Sequence, residues 1–107
     1  MKTVITSTGN DIKSPFDKRF GRAAWFCVYD DATDETTFHE NKFADSNHGA
    51  GTRVSEKVVE WGVQKAISGD FGPKAKDLLE KFKIQMIVIS EEETVESIIN
   101  KLKTKKQ

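Results

Sequence analysis

The chain has 107 residues, a formal net charge of zero and a single cysteine. That length suits a single domain over residues 1–107 with a genuine core, and is too short for two. Zero net charge leaves no global field toward nucleic acid or membrane, and one cysteine excludes an internal disulfide or a cysteine-rich metal motif within one chain.

No apolar run approaches a membrane span, and Met1-Lys2-Thr3-Val4-Ile5-Thr6 enters a strand pattern at once instead of a signal peptide, so a cytoplasmic location is expected. Lys2 to Ser7 reads as the first strand, and Ser7 to Pro15 as a loop rich in Ser, Thr, Gly, Asn and Asp. Trp25 to Asp30 is apolar on both faces, as in a strand covered on both sides. After the turn Asp30-Asp31-Ala32-Thr33-Asp34, the more polar Thr36 to Asn41 reads as a hairpin partner at the sheet edge.

Asn47-His48-Gly49-Ala50-Gly51-Thr52-Arg53 is a glycine-punctuated turn tipping into a helix. Glycine lets backbone N–H groups approach a ligand, the helix start adds partial positive charge, and His48 and Arg53 add a donor or metal ligand and a cation. The turn reads as a cradle for an anion, although glycine ahead of a helix also serves as plain turn chemistry. Val54, Val58 and Trp61 then share one helical face, and Gly62 stops the helix.

Gln64 to Ser68 is a short, poorly marked strand. Gly69-Asp70-Phe71-Gly72-Pro73 forms a second turn into a helix, with Pro73 at a first helical position, where its missing N–H costs nothing. Ala75, Leu78, Leu79 and Phe82 are the expected buried face of that helix. Ile84 to Ile89 reads as the clearest buried strand. The last helix is expected to start near Ser90 or Thr94, with Val95, Ile98, Ile99 and Leu102 inward and Glu91 to Glu93 near its positive end. Lys101 to Lys106 reads as a frayed, solvated basic tail.

The order is therefore βββαβαβα: an α/β fold with antiparallel pairing first, parallel crossovers later, and helices on the faces of a mixed five-stranded sheet. If the strands before the two glycine turns are neighbours, both turns lie at one sheet end, the usual place for a ligand crevice.

Three segments, Ser14-Pro15-Phe16-Asp17-Lys18-Arg19-Phe20-Gly21-Arg22-Ala23, His48-Gly49-Ala50-Gly51 and Gly69-Asp70-Phe71-Gly72-Pro73-Lys74-Ala75, together resemble the dinitrogenase iron-molybdenum cofactor biosynthesis family. The resemblance covers nearly the whole chain and implies a ribonuclease H-like fold. It also implies binding of a preformed, anionic metal–sulfur cluster, iron–molybdenum or related, in assembly, storage or delivery, without turnover chemistry. Cluster-donor and cluster-acceptor proteins would be the partners, with the chain a monomer or weak homodimer. Many family members occur outside nitrogen fixation, so the resemblance does not tie the chain to nitrogenase.

On this reading the cofactor-binding residues are Arg19, Arg22, His48, Gly49, Ala50, Gly51, Arg53, Gly72 and Lys74, with His48 also the candidate metal ligand. Arg19 and Arg22 offer guanidinium forks for oxyanions or sulfide-rich anions, or else pair with Asp17 or another carboxylate. Lys74 either reaches an anion at its helix N-terminus or is an ordinary surface lysine. His39, with no motif around it, is expected to be exposed. Cys27, between Phe26 and Val28, suits a small core residue better than a cluster ligand. Trp25, Trp61 and Phe82 are expected in the core.

Competing chemistries lack their residues. A two-metal nuclease needs carboxylates on the first strand and its neighbours, and Thr3-Val4-Ile5-Thr6-Ser7 has none. No Ser-His-Asp or Cys-His set is readable, and no G-x-G-x-x-G follows the first strand. The alternative to a cluster carrier is a metal-free regulatory or protein-interaction domain that holds a small anion in the same crevice.

Overall fold

The computed structural model describes residues 1–45 and 49–104. Among them the elements run β1 (Lys2–Ser7), β2 (Trp25–Asp30), β3 (Glu35–Glu40), α1 (Ala50–Glu60), β4 (Lys65–Ser68), α2 (Pro73–Lys81), β5 (Gln85–Val88) and α3 (Val95–Thr104). This is the order that hydrophobic periodicity predicts. The strands form one mixed sheet in the order β3-β2-β1-β4-β5. The first three pair antiparallel, and β1, β4 and β5 pair parallel.

Successive residues of a strand face opposite sides of its sheet, and the two cores follow that alternation. Val4, Phe26, Val28 and Ala66 meet Val54 and Val58 of α1 and Ala75 and Leu79 of α2 on one face. Ile5, Cys27, Tyr29 and Ile67 meet Val95, Ile98 and Ile99 of α3 on the other. The domain is thus a three-layer sandwich, with α1 and α2 packed side by side over one face.

The helix ends follow local chemistry. α1 stops at Gly62, whose φ of +72° is the left-handed conformation that closes a helix, and its N–H donates to the Val59 carbonyl at 3.1 Å. Pro73 opens α2. α3 is capped reciprocally: the Ser97 N–H donates to Thr94 Oγ1 at 3.1 Å, and the Thr94 N–H to Ser97 Oγ at 3.2 Å.

Several expectations need correction. Residues 84–89, read as the clearest buried strand, contribute β5, which is an edge strand with Val88 62% exposed. Its apolar run covers a sheet margin. The poorly marked β4 lies inside the sheet instead, with Ala66, Ile67 and Ser68 buried between β1 and β5. Phe82, expected in the core, is 51% exposed at the end of α2, because β5 is the sheet margin and no strand lies beyond it. Trp25 is half-buried, as is Trp61, which packs on the core edge.

His39 is not the exposed residue expected. It is half-buried, with its ring stacked on Trp61 at 4.2 Å between centroids, and desolvation there lowers its pKa. The expected frayed tail begins as ordered helix: Lys101 pairs with Glu93 at 2.8 Å and Lys103 with Asp34 at 3.0 Å. The tail's last residues, 105–107, lie outside the described residues.

Pairing aligns Ser7 with Trp25, and Trp25 with Glu40, so β1 and β3 end together. Since β4 and β5 run parallel to β1, their C-terminal ends lie at the same end of the sheet. β3 and β4 are not neighbours, so the condition set from the sequence for the two turns to share one sheet end is not met in that form. The turns into α1 and α2 still leave from one sheet end, because β3 and β4 run in the same direction.

Candidate functional site

At that end an open cleft of about 440 Å³ lies between the first turns of α1 and α2 and the loop that follows Asp17. Arg19, Phe20, Gly21 and Arg22 form one wall, Gly49, Ala50 and Gly51 a second, and residues 70–75 a third. The loop is stitched to the third wall by the Phe20 N–H, which donates to the Asp70 carbonyl at 3.1 Å. It also presses on α1: a Cβ on Gly21 would sit 3.0 Å from the Gly51 nitrogen. The close approach of loop and helix is what glycine at this position permits.

Among the described residues neither helix start has a side-chain cap, and neither helix carries an acidic residue in its first turn. The leading N–H groups of a helix have no partner within it, and with the backbone dipoles they place partial positive charge at the cleft. Pro73 removes one donor from α2, and the Gly72 N–H is taken by Asp70 Oδ1 at 3.1 Å.

Four charged side chains line the cleft, each in a different setting. Arg19 is 67% exposed on the cleft wall, and its guanidinium grips Asp17 through Nε at 3.2 Å and Nη2 at 3.1 Å. That ion pair raises the Arg19 pKa through hydrogen bonding and charge. Arg22 donates through Nη1 to the Ala44 carbonyl at 2.8 Å, tying the loop to the segment that leads toward α1. Lys74 lines the cleft from the first turn of α2. Asp70 is the carboxylate on the wall, which the sequence reading placed in the turn without singling it out as a site residue.

Of the sequence-predicted residues, Arg19, Arg22, Gly49, Ala50, Gly51, Gly72 and Lys74 line this one cleft. Arg53 does not. Its guanidinium lies over the Phe43 ring, 5.5 Å from the centroid, a cation–π contact, and neither residue lines the cleft. His48 lies outside the described residues, next in the chain to Gly49 of the cleft wall. Cys27 is fully buried, and desolvation pushes its thiol up to about 12, so it offers no thiolate. Among the described residues no three His, Cys, Asp or Glu side chains gather as a metal site.

Sequence reasoning missed the residue that holds the loop in place. Asn41, 8% exposed, donates through Nδ2 to the Gly21 and Ala23 carbonyls at 2.9 and 2.8 Å and accepts the Phe43 N–H at 2.9 Å. An asparagine at the end of an edge strand carries no signal for this. Its partners are about twenty residues away in sequence.

The fold and cleft define a small three-layer α/β domain in which two helix N-termini and cationic side chains line one cleft at one sheet end. The family model described as dinitrogenase iron-molybdenum cofactor matches residues 1–105, and the chain belongs to that family. Its structure is similar to the apo form of the orange protein from Desulfovibrio gigas, at 28% identity and a TM-score of 0.90, over 97% of this chain and 88% of that one. It is also similar to a putative NifB protein from Thermotoga, at 30% identity and a TM-score of 0.84, over 96% and 87% of the two chains. PH0822, at 19% identity and a TM-score of 0.78 over 95% and 89%, shares the fold. No curated protein matches the chain by sequence. Among the described residues no helix is long and apolar enough to cross a membrane.

Proposed function

We propose that the chain is a cytoplasmic, non-catalytic carrier that takes up a preformed anionic metal–sulfur cluster, such as an iron–molybdenum or related cluster, and passes it from a donor to an acceptor protein. The observation that carries this reading is the convergence of two helix starts, without side-chain caps or acidic first turns, on a cleft lined by Arg19, Arg22 and Lys74. Backbone N–H groups and guanidinium forks suit oxo and sulfido ligands of a cluster already assembled elsewhere. The residues fit a cargo better than a resident cofactor. The only thiol is buried and protonated, so the cluster is held by hydrogen bonds and charge, with His48 the one metal ligand we assign, and stays exchangeable. Family membership supports the cargo's chemistry, and an apo form of the similar orange protein supports a group that comes and goes.

The test is anaerobic titration of the protein with tetrathiomolybdate and with an isolated iron–molybdenum cofactor, followed by gel filtration, visible absorption and metal analysis. Retained chromophore at stoichiometric metal, weakened in His48→Ala and Arg22→Ala but not in His39→Ala, is the expected result. Loss of one charge-assisted hydrogen bond, about 1.5–3 kcal/mol, corresponds to roughly tenfold or more in affinity for the Arg22 variant. A protein that stays colourless yet binds phosphate and molybdate equally well belongs to the metal-free alternative.

A further inference from the structure

Asp17 is the one carboxylate buried among the described residues, at 5% exposure, and it lies two residues before Arg19 of the cleft wall. A buried carboxylate is costly unless paired and hydrogen-bonded. Here the whole partner set comes from one residue. The Arg19 backbone N–H and Nε donate to Oδ1 at 3.0 and 3.2 Å, and Nη2 donates to Oδ2 at 3.1 Å. Asp17 is itself fixed to the end of β1, where its N–H donates to the Thr6 carbonyl at 3.1 Å and its carbonyl accepts from the Thr6 hydroxyl.

A guanidinium is planar and carries five N–H donors in a rigid fork. Asp17 uses the edge formed by Nε and one hydrogen of Nη2. That leaves the adjacent end-on edge, one hydrogen of Nη1 and the other of Nη2, without a hydrogen-bond partner among the described residues. Because the group is rigid, holding one edge fixes the direction of the other. Arg19 is 67% exposed and lines the cleft, so this second edge is accessible there.

We propose that Asp17 is a positioning residue: it holds Arg19 so that the free edge of its guanidinium forms a preset fork for an anion with two adjacent terminal acceptor atoms, as on a tetrahedral oxo- or thio-anion. The inference rests on the carrier reading and adds to it the kind of cargo edge that the wall accepts. It also reverses a simple electrostatic expectation. A carboxylate beside an anion site repels the anion, so removing its charge should tighten binding; a carboxylate that orients the binding fork should weaken binding when removed.

Calorimetric titration of the intact protein with molybdate and tetrathiomolybdate separates the two. Asp17→Asn is expected to bind both anions about tenfold more weakly. Arg19→Lys, which keeps the charge and loses the fork, is expected to fall by a similar factor. In an Arg19→Gln background, adding Asp17→Asn should change affinity by less than about twofold, because nothing remains to be positioned; a merely structural role for Asp17 would weaken binding equally in both backgrounds. Equal or tighter binding by a folded Asp17→Asn protein overturns the proposal. If Asp17→Asn does not fold, the exposed Arg19→Lys variant decides: unchanged affinity overturns the proposal and a tenfold loss supports it. A wild-type protein that binds neither anion defeats the carrier reading itself, and the fork with it.

Discussion

Gly69→Ala tests whether the cleft depends on contact between the loop after Asp17 and the turn into α2. A Cβ on Gly69 would lie 2.6 Å from Lys18 Cβ, 2.8 Å from the Lys18 carbonyl oxygen and 2.9 Å from Lys18 Cα. Carbon atoms in contact prefer about 3.5–4.0 Å, so the two segments must separate by roughly 1 Å. Two of the three obstructing atoms are backbone, and no side-chain rotation relieves them. Gly69 is not among the residues with positive φ, so the cost comes from space alone. Overpacking of this kind costs about 1–3 kcal/mol. Separation also strains the 3.1 Å hydrogen bond from the Phe20 N–H to the Asp70 carbonyl, worth about 0.5–1.5 kcal/mol. The sum, about 1.5–4.5 kcal/mol, corresponds to a fall in Tm of roughly 7–20 °C for a domain of this size. Thermal and urea melts followed by circular dichroism, with tetrathiomolybdate titration at a temperature where the variant remains folded, measure both effects. Gly62→Ala is the control: its φ is +72°, nothing lies within 4 Å of the added Cβ, and about 1–2 kcal/mol is lost with no change in anion affinity. If Gly69→Ala melts within about 0.5 kcal/mol of wild type and binds normally, the close contact does not hold the cleft together.

The remaining predictions concern buried titratable groups and the outlying arginine. Burial holds the Cys27 thiol at about 12 in the folded chain against its ordinary value of 9.0. The unfolded chain therefore releases this proton first, and stability present below pH 9 is lost as pH rises toward 12. Urea midpoints measured from pH 8 to 11 should fall for wild type and fall less for Cys27→Ala, once the cavity cost is subtracted at pH 8; parallel curves would contradict the burial argument. His39 has the opposite sense: desolvation lowers its folded pKa, so its contribution is present above the unfolded value of 6.5 and is lost as pH falls below it. His39→Phe should flatten the drop in Tm between pH 7 and 5 without touching anion binding. Arg53→Ala should leave affinity within about twofold, a small change in free energy, since the guanidinium rests on Phe43 and not in the cleft. A tenfold loss would return Arg53 to the site.

The strand and helix order was legible because periods of two and 3.6 survive in single segments such as Val54, Val58 and Trp61. Depth in the sheet was not. β4 and β5 were ranked in the wrong order because an apolar run reports composition and not depth: no residue of β5 is fully buried, whereas Ala66, Ile67 and Ser68 of β4 are. Position in the sheet depends on pairing partners distant in sequence. The same limit applies at the site. Glycines, Pro73 and the two loop arginines were readable as local chemistry. The grip of Arg19 on Asp17 stood as one of two readings, while the role of Asn41, about twenty residues from its partners, had no local trace.

Three helices begin at this end of the sheet, because α1, α2 and α3 follow β3, β4 and β5, and these strands run in one direction. Their starts are finished differently. α3, alone on the opposite face, is closed by the Thr94–Ser97 pair and carries Glu96 in its first turn, satisfying the leading N–H groups and opposing the dipole. Among the described residues α1 and α2 have neither device, although a side-chain cap commonly stabilises a helix by about 1 kcal/mol. Both open starts lie on the face where the loop brings Arg19 and Arg22, and both line the same cleft. A cap on either helix would place a side-chain oxygen against the N–H groups that a cargo anion needs. The open starts of α1 and α2 are thus what keep the cleft's donors available, and an Asp substituted at Gly49, strained at a φ of +80°, should weaken anion uptake without stabilising α1.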